Sequence, residues 1–172
     1  RRQRQMCIRD RGKVRVEGDV CYLSLVERHR GTGAVVNGFV SGFGYTGSMA
    51  IASSVAHDSH HMIVVGTNQE MMASAANRLG EIGGGVSVWK DGSEVALVEL
   101  PIAGLMSDSK ASEVAVKAQA IVTAMIDCGC TLNNAYMQHT LLALVVIPEL
   151  RISDLGLVDV NRFELTEIIK DS

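Results

Sequence analysis

The chain has 172 residues, 47% of them hydrophobic, which suffices to close one globular core and excludes a disordered chain. Net charge is -3, which gives no general case for nucleic-acid binding, and no run of about 18 apolar residues is present to cross a membrane. Aromatic residues are only 4%, so the core is expected to be built from Val, Ile, Leu, Ala and Met.

The first fifteen residues stand apart: six arginines and Lys13 face a single acid, Asp10. Such an end reads either as a solvated segment or as a contact for phosphate or a partner. No signal peptide is visible, and the chain does not begin with Met, so a fragment of a longer protein is expected. Cys7, Cys21, Cys128 and Cys130 have no C-x-x-C spacing, and Cys128-Gly129-Cys130 is too close for a zinc knuckle. Reduced, structural thiols of a cytosolic protein are expected.

Residues 13–17 alternate and suggest a short strand, and 20–27 (VCYLSLVE) suggest a stronger one. Glu27-Arg28-His29-Arg30-Gly31-Thr32-Gly33 then crowds charge at a strand end, as a solvated turn or as part of a site. A strand over 34–41 leads to a glycine-rich loop, 42–48 (GFGYTGS). That loop lacks phosphate-loop spacing and better suits close backbone approach to another surface. Small-residue strand 49–55 follows, and 62–66 (MIVVG) reads as a buried strand.

Thr67-Asn68-Gln69-Glu70 predicts a capping box led by Thr67. Met72, Ala75, Ala76, Leu79 and Ile82 share the inner face of the helix it opens, and Gly83 closes it. Met71 and Met72 are expected to fill core. Asp91-Gly92 between 85–90 and 94–99 signals a hairpin. A second helix is expected from Ser112 to Asp127 with Val114, Ala118, Ile121, Val122 and Met125 inward. Residues 134–147 suggest a short helix entering a buried apolar segment, with His139 as a satisfied core or boundary group. Residues 149–160 suggest a turn and a short edge strand, followed by a charged surface tail. Together these elements predict an α+β fold: a mainly antiparallel or mixed sheet with two or three helices packed on it.

The densest chemistry is Ala56-His57-Asp58-Ser59-His60-His61, which holds three of the five histidines between two apolar strands. A titratable cluster in that position must be solvated, hydrogen-bonded or engaged. Metal binding, a catalytic or orienting role without metal, and a hydrogen-bonded structural loop all remain open, since neither H-E-x-x-H nor zinc-finger spacing is present. The zinc nucleobase-deaminase signature and the G-x-S-x-G elbow are also missing.

Five stretches, 27–33, 42–72, 82–85, 101–108 (PIAGLMSD) and 146–160, together resemble the C-terminal domain of bacterial and archaeal adenine deaminases, members of the amidohydrolase superfamily. The resemblance covers roughly residues 20–163 in order. It implies residues 20–172 as the C-terminal α+β domain and 1–19 as the basic join to an upstream catalytic (β/α)₈ barrel. It further implies hydrolysis of adenine to hypoxanthine and ammonia in purine salvage. The divalent metal, manganese or iron, would be held by that barrel, with no metal ligand expected in this chain. A cytoplasmic homo-oligomer acting on a purine base, with no nucleic-acid or membrane partner, completes the expectation. His57, Asp58 and His60 are then candidates for a lid, orienting or proton-transfer role at the barrel mouth. Glu27, Arg28, His29 and Ser59 are candidates for substrate binding. His61 stands where the family pattern A-H-D-S-H-N has asparagine, and residues 133–146 diverge from a Pro-Phe-containing stretch usual in relatives. The competing readings are a binding or assembly domain, in which the loop only stabilises an interface, and an independent metal-binding protein.

Overall fold

The computed structural model describes residues 7–10 and 13–168, with side chains from Val16 onward. Residues 1–6, 11 and 12, which include four arginines of the basic segment, and the last four residues of the tail lie outside the described residues. A small hairpin, β1 (Cys7–Asp10) with β2 (Lys13–Val16), precedes the domain proper, so part of the basic segment is strand.

The sequence then builds one six-stranded sheet. Its strands are β3 (Val20–Val26), β4 (Val35–Ser41), β5 (Met49–Ser53), β6 (Met62–Gly66), β7 (Gly85–Lys90) and β8 (Ser93–Glu99). They lie in the order β4-β3-β6-β5-β7-β8, and every neighbouring pair is antiparallel. β5 and β6 are buried at every position because both faces of the sheet are covered there. Helix α1 (Gln69–Ile82) covers one face, packing Met71, Met72, Ala75 and Leu79 on Ala50, Ala52 and Val64. Helix α2 (Ala111–Asp127) covers the other near β8, adding Ile121, Ala124 and Met125 to a core of Leu23, Leu25, Ile51, Val65 and Val88. The short α3 (Ala135–Thr140) completes that layer. The expected α+β architecture is thus present.

Four local expectations fail for identifiable reasons. The N-cap of α1 is Asn68, whose side chain accepts from the Met71 N–H at 3.0 Å. Thr67 instead joins β5: its hydroxyl accepts from the Met49 N–H at 3.0 Å and donates to the Gly47 carbonyl at 2.7 Å. Ala118 and Val122 of α2 face solvent, because only the last third of the helix is fully covered. The stretch after α3 is one 3-10 turn (Leu141–Ala143) and an irregular run whose Val146 and Ile147 are exposed, not a buried segment. The region 149–160 holds two strands, β9 (Leu150–Ser153) and β10 (Gly156–Asp159). With β11 (Glu164–Thr166) they form a separate three-stranded antiparallel sheet.

The glycine-rich loop does make a close backbone approach. Gly44 and Gly129 face each other so tightly that a Cβ on Gly44 would sit 2.9 Å from the Gly129 carbonyl. The Thr46 and Thr131 N–H groups donate across the same contact, to the carbonyls of Cys128 and Phe43. Cys21, Cys128 and Cys130 are buried free thiols, and burial raises the pKa of Cys21 to about 12 and also raises that of Cys128. Among the described residues, no helix is long and apolar enough to cross a membrane.

Candidate functional site

The antiparallel register brings the ends of β3, β5 and β8 and the starts of β4, β6 and β7 to one pole of the sheet. The connections at that pole are 27–34, 54–61, 83–84 and 100–110. They contain the charged turn, the histidine loop, the Ile82–Gly85 glycines and the 101–108 stretch. The 146–160 stretch reaches the same pole through Asp154, which lies 3.8 Å from His61. Segments scattered through the sequence therefore meet around residues 56–61.

The turn after β3 is organised by Glu27. Its carboxylate accepts from the N–H groups of His29 (2.6 Å), Arg30 (2.7 Å) and Thr32 (3.0 Å) and from the Thr32 hydroxyl (2.8 Å). These donors, Thr32 N–H foremost, hold its pKa down at about 2, well below the ordinary carboxylate range. The turn so fixed aims Arg28 and His29 at the histidine loop. Arg28 Nε donates to the His60 carbonyl at 2.6 Å, and Nη2 donates to the Ala103 carbonyl at 3.0 Å. His29 Nε2 lies 2.6 Å from the Ser59 carbonyl, so this nitrogen carries the proton and donates.

Space for the Arg28 bridge comes from two glycines. A Cβ on Gly104 (φ +73°) would meet the Arg28 guanidinium at 2.9 Å, and one on Gly84 would meet the Gly104 Cα at 2.4 Å. Ser54, buried beneath them, donates to the Gly104 carbonyl at 2.6 Å and accepts from the Gly85 N–H at 2.8 Å.

The loop is a tight turn. The His60 N–H donates to the Ala56 carbonyl at 2.7 Å, and the Ala56 N–H donates back to His60 Nδ1 at 3.3 Å. Nδ1 therefore acts as acceptor, which leaves the proton of the neutral ring on Nε2. Burial and then the neighbouring His57 lower the His60 pKa, favouring that neutral form. The His57 and His60 rings meet edge-on, 5.3 Å between centroids, and the His57 N–H donates to the Thr140 carbonyl at 3.2 Å. Asp58 and Ser59 form the exposed tip, and no described residue hydrogen-bonds to either side chain. His61 turns inward between Glu27 (3.9 Å) and Asp154 and beside His29, with 4.5 Å between ring centroids. Burial, then His29, lowers its pKa.

The seven residues singled out from sequence thus divide in two. His57, Asp58, Ser59 and His60 form the presented loop, whereas Glu27, Arg28 and His29 make contacts that hold it. His61 and Asp154 belong to the same cluster and were not chosen as site residues. The only sequence signal for Asp154 is its place in the 146–160 stretch. His139 lies away from this pole's tip, fully buried against Phe43, and neither ring nitrogen finds a hydrogen-bond partner among the described residues. The expectation of a satisfied core histidine therefore holds for burial and fails for hydrogen bonding. Burial pushes its pKa down to about 3.

Among the described residues, no group of three or more His, Cys, Asp or Glu side chains is placed to hold a metal ion. Within the loop, His60 Nδ1 is engaged by the Ala56 N–H, so that nitrogen is not free to hold a metal ion.

Fold and site define an α+β domain that holds a titratable loop by backbone and side-chain hydrogen bonds at one pole of an antiparallel sheet. The chain belongs to the adenine deaminase C-terminal domain family, whose model matches residues 1–164. It is 72% identical over 165 residues to the adenine deaminase of Paracoccus denitrificans, covering 96% of this chain and 28% of that protein. It is 74% identical over 152 residues to that of Ruegeria pomeroyi, covering 88% of this chain and 25% of the relative. A more distant relative, the adenine deaminase of Moorella thermoacetica, is 46% identical over 154 residues, covering 90% of this chain and 26% of the relative. The chain therefore spans about a quarter of the length of the curated relatives it matches.

Proposed function

We propose that this chain is the C-terminal portion of an adenine deaminase, and that its 57–60 loop faces the purine site of a preceding metal-dependent barrel. The observation that carries this reading is convergence. The stretches that resemble the family meet around one loop, and the residues holding it leave His57, Asp58 and Ser59 presented outward.

Deamination of adenine adds water at C6 and expels ammonia, so the leaving amine needs a proton and the ring nitrogens need partners. A divalent metal, manganese or iron in this reading, supplies an activated water from the barrel. The groups of this chain suit the remaining tasks. Neutral His60 keeps its Nε2–H as a donor for a ring nitrogen. His57 and Asp58, an adjacent imidazole and carboxylate, can carry a proton to or from the exocyclic nitrogen. Glu27, Arg28 and His29 act as positioning residues, since the Glu27 carboxylate, Arg28 Nε and Nη2 and His29 Nε2 fix the turn and the loop backbone. Purine salvage in the cytoplasm by a homo-oligomer is the setting this reading implies.

In the full-length enzyme, His57→Ala or His60→Ala is expected to lower kcat/KM for adenine by about 10²-fold or more, the usual range for loss of a proton-transfer or orienting group. Folding and metal content should stay unchanged. Normal turnover together with normal adenine affinity in both variants would sink the reading.

A further inference from the structure

Asp58 and Ser59 do more than form the loop tip: they line one wall of a hollow of about 660 Å³. The opposite wall comes from the small sheet and the irregular run before it, including Val146, Leu155, Phe163 and Leu165. These side chains stand unusually far out of the protein: Phe163 is 86% exposed, Leu155 75%, Val146 67% and Leu165 58%. Isolated exposed apolar residues are ordinary, but a contiguous group around a concavity marks an interaction surface. The ionisable residues lining the hollow are Asp58, Asp154 and Glu164, all acidic. Arg162 already answers Glu164 at 3.3 Å, and Asp154 faces His61.

We propose that this surface is the seat of the domain that precedes this chain in the full-length protein. Docking there would bring an apolar protrusion with adjacent basic groups into the hollow. Three observations favour that occupant. The hollow shares Asp58 and Ser59 with the loop, so whatever the loop faces must also cover the patch. The chain covers 28% of its Paracoccus denitrificans relative, so a much larger body is available to cover it. The acidic lining complements a basic rim and is self-repelling toward an identical copy of itself. The proposal rests on the loop reading for its orientation, but its test does not depend on activity.

The test compares the full-length protein with its Leu155→Glu/Phe163→Glu variant by hydrogen exchange and light scattering. The expected result is that at least one segment of the preceding domain exchanges about tenfold faster in the variant, at unchanged native mass, because a docked surface has been released. Phe163→Ala should shift the same segment in the same direction by less, which separates undocking from misfolding. If no segment of the preceding domain changes, the proposal fails. If instead the native mass falls to half, the patch seats a second copy and the proposal also fails. Normal turnover and adenine affinity in both His57→Ala and His60→Ala would overturn the loop's chemical role while leaving this exchange result unaffected, so the two failures are distinguishable.

Discussion

Single residues carry most of the pH sensitivity. His139 has a folded pKa of about 3 against an ordinary 6.5, because burial penalises its charged form. A lowered folded pKa means that its contribution is complete above pH 6.5 and is lost as pH falls toward 3, on the order of 5 kcal/mol over that window. His139→Leu is expected to flatten this limb and to raise the melting temperature at pH 5, since an apolar side chain leaves no buried nitrogen unpartnered. A pH series of thermal melts on both proteins checks this. Glu27 acts lower on the scale. Its contribution is complete above 4.5 and disappears as pH falls through about 2. Sequence could locate these residues but not rank them. His139 and His57 look alike in a string of letters, and only burial separates a core imidazole from a presented one.

At the level of elements, the fold was legible where local chemistry decides it. The Asp91-Gly92 hairpin and the Gly83 end of α1 follow from turn and cap preferences. The strands β3 to β8 follow from apolar runs. Legibility failed where tertiary partners choose between equal local options. Thr67 and Asn68 are both good N-caps, and the neighbouring strand claims Thr67. Asn68→Ala is therefore expected to cost about 1 kcal/mol through the helix, whereas Thr67→Ala should instead loosen β5, visible as faster exchange of the Met49 amide. The α2 inner face was misread at Ala118 and Val122 because periodicity cannot say how far along a helix its cover extends. The candidate loop was legible as a cluster, but its holding contacts were not. Gly84→Ala tests them: with a Cβ 2.4 Å from Gly104 and φ of +121°, it should cost about 3 kcal/mol or more and free Arg28 from the His60 carbonyl. Thermal unfolding reads the first effect, and exchange of loop amides reads the second.

For the whole molecule, direction along the sheet matters. The chain enters the sheet at Val20, whose partner is Ser41, at the pole opposite the histidine loop. β3 then runs seven residues before reaching Glu27, a distance of about 20 Å at the usual rise per residue. On the proposed reading, a preceding domain that meets the loop is joined to the sheet at one pole and seated at the other, so the domain or its connection spans the length of the sheet. In that arrangement, alignment over the substrate would belong to the seat and not to the leash. Extra slack at the Glu17-Gly18 turn, four Gly/Ser residues for instance, is therefore expected to leave kcat/KM of the full-length enzyme within about twofold, since lengthening a flexible connection costs little. Such a leash would set only how far the two bodies can part, and would leave the distance between the catalytic parts to the docked surface.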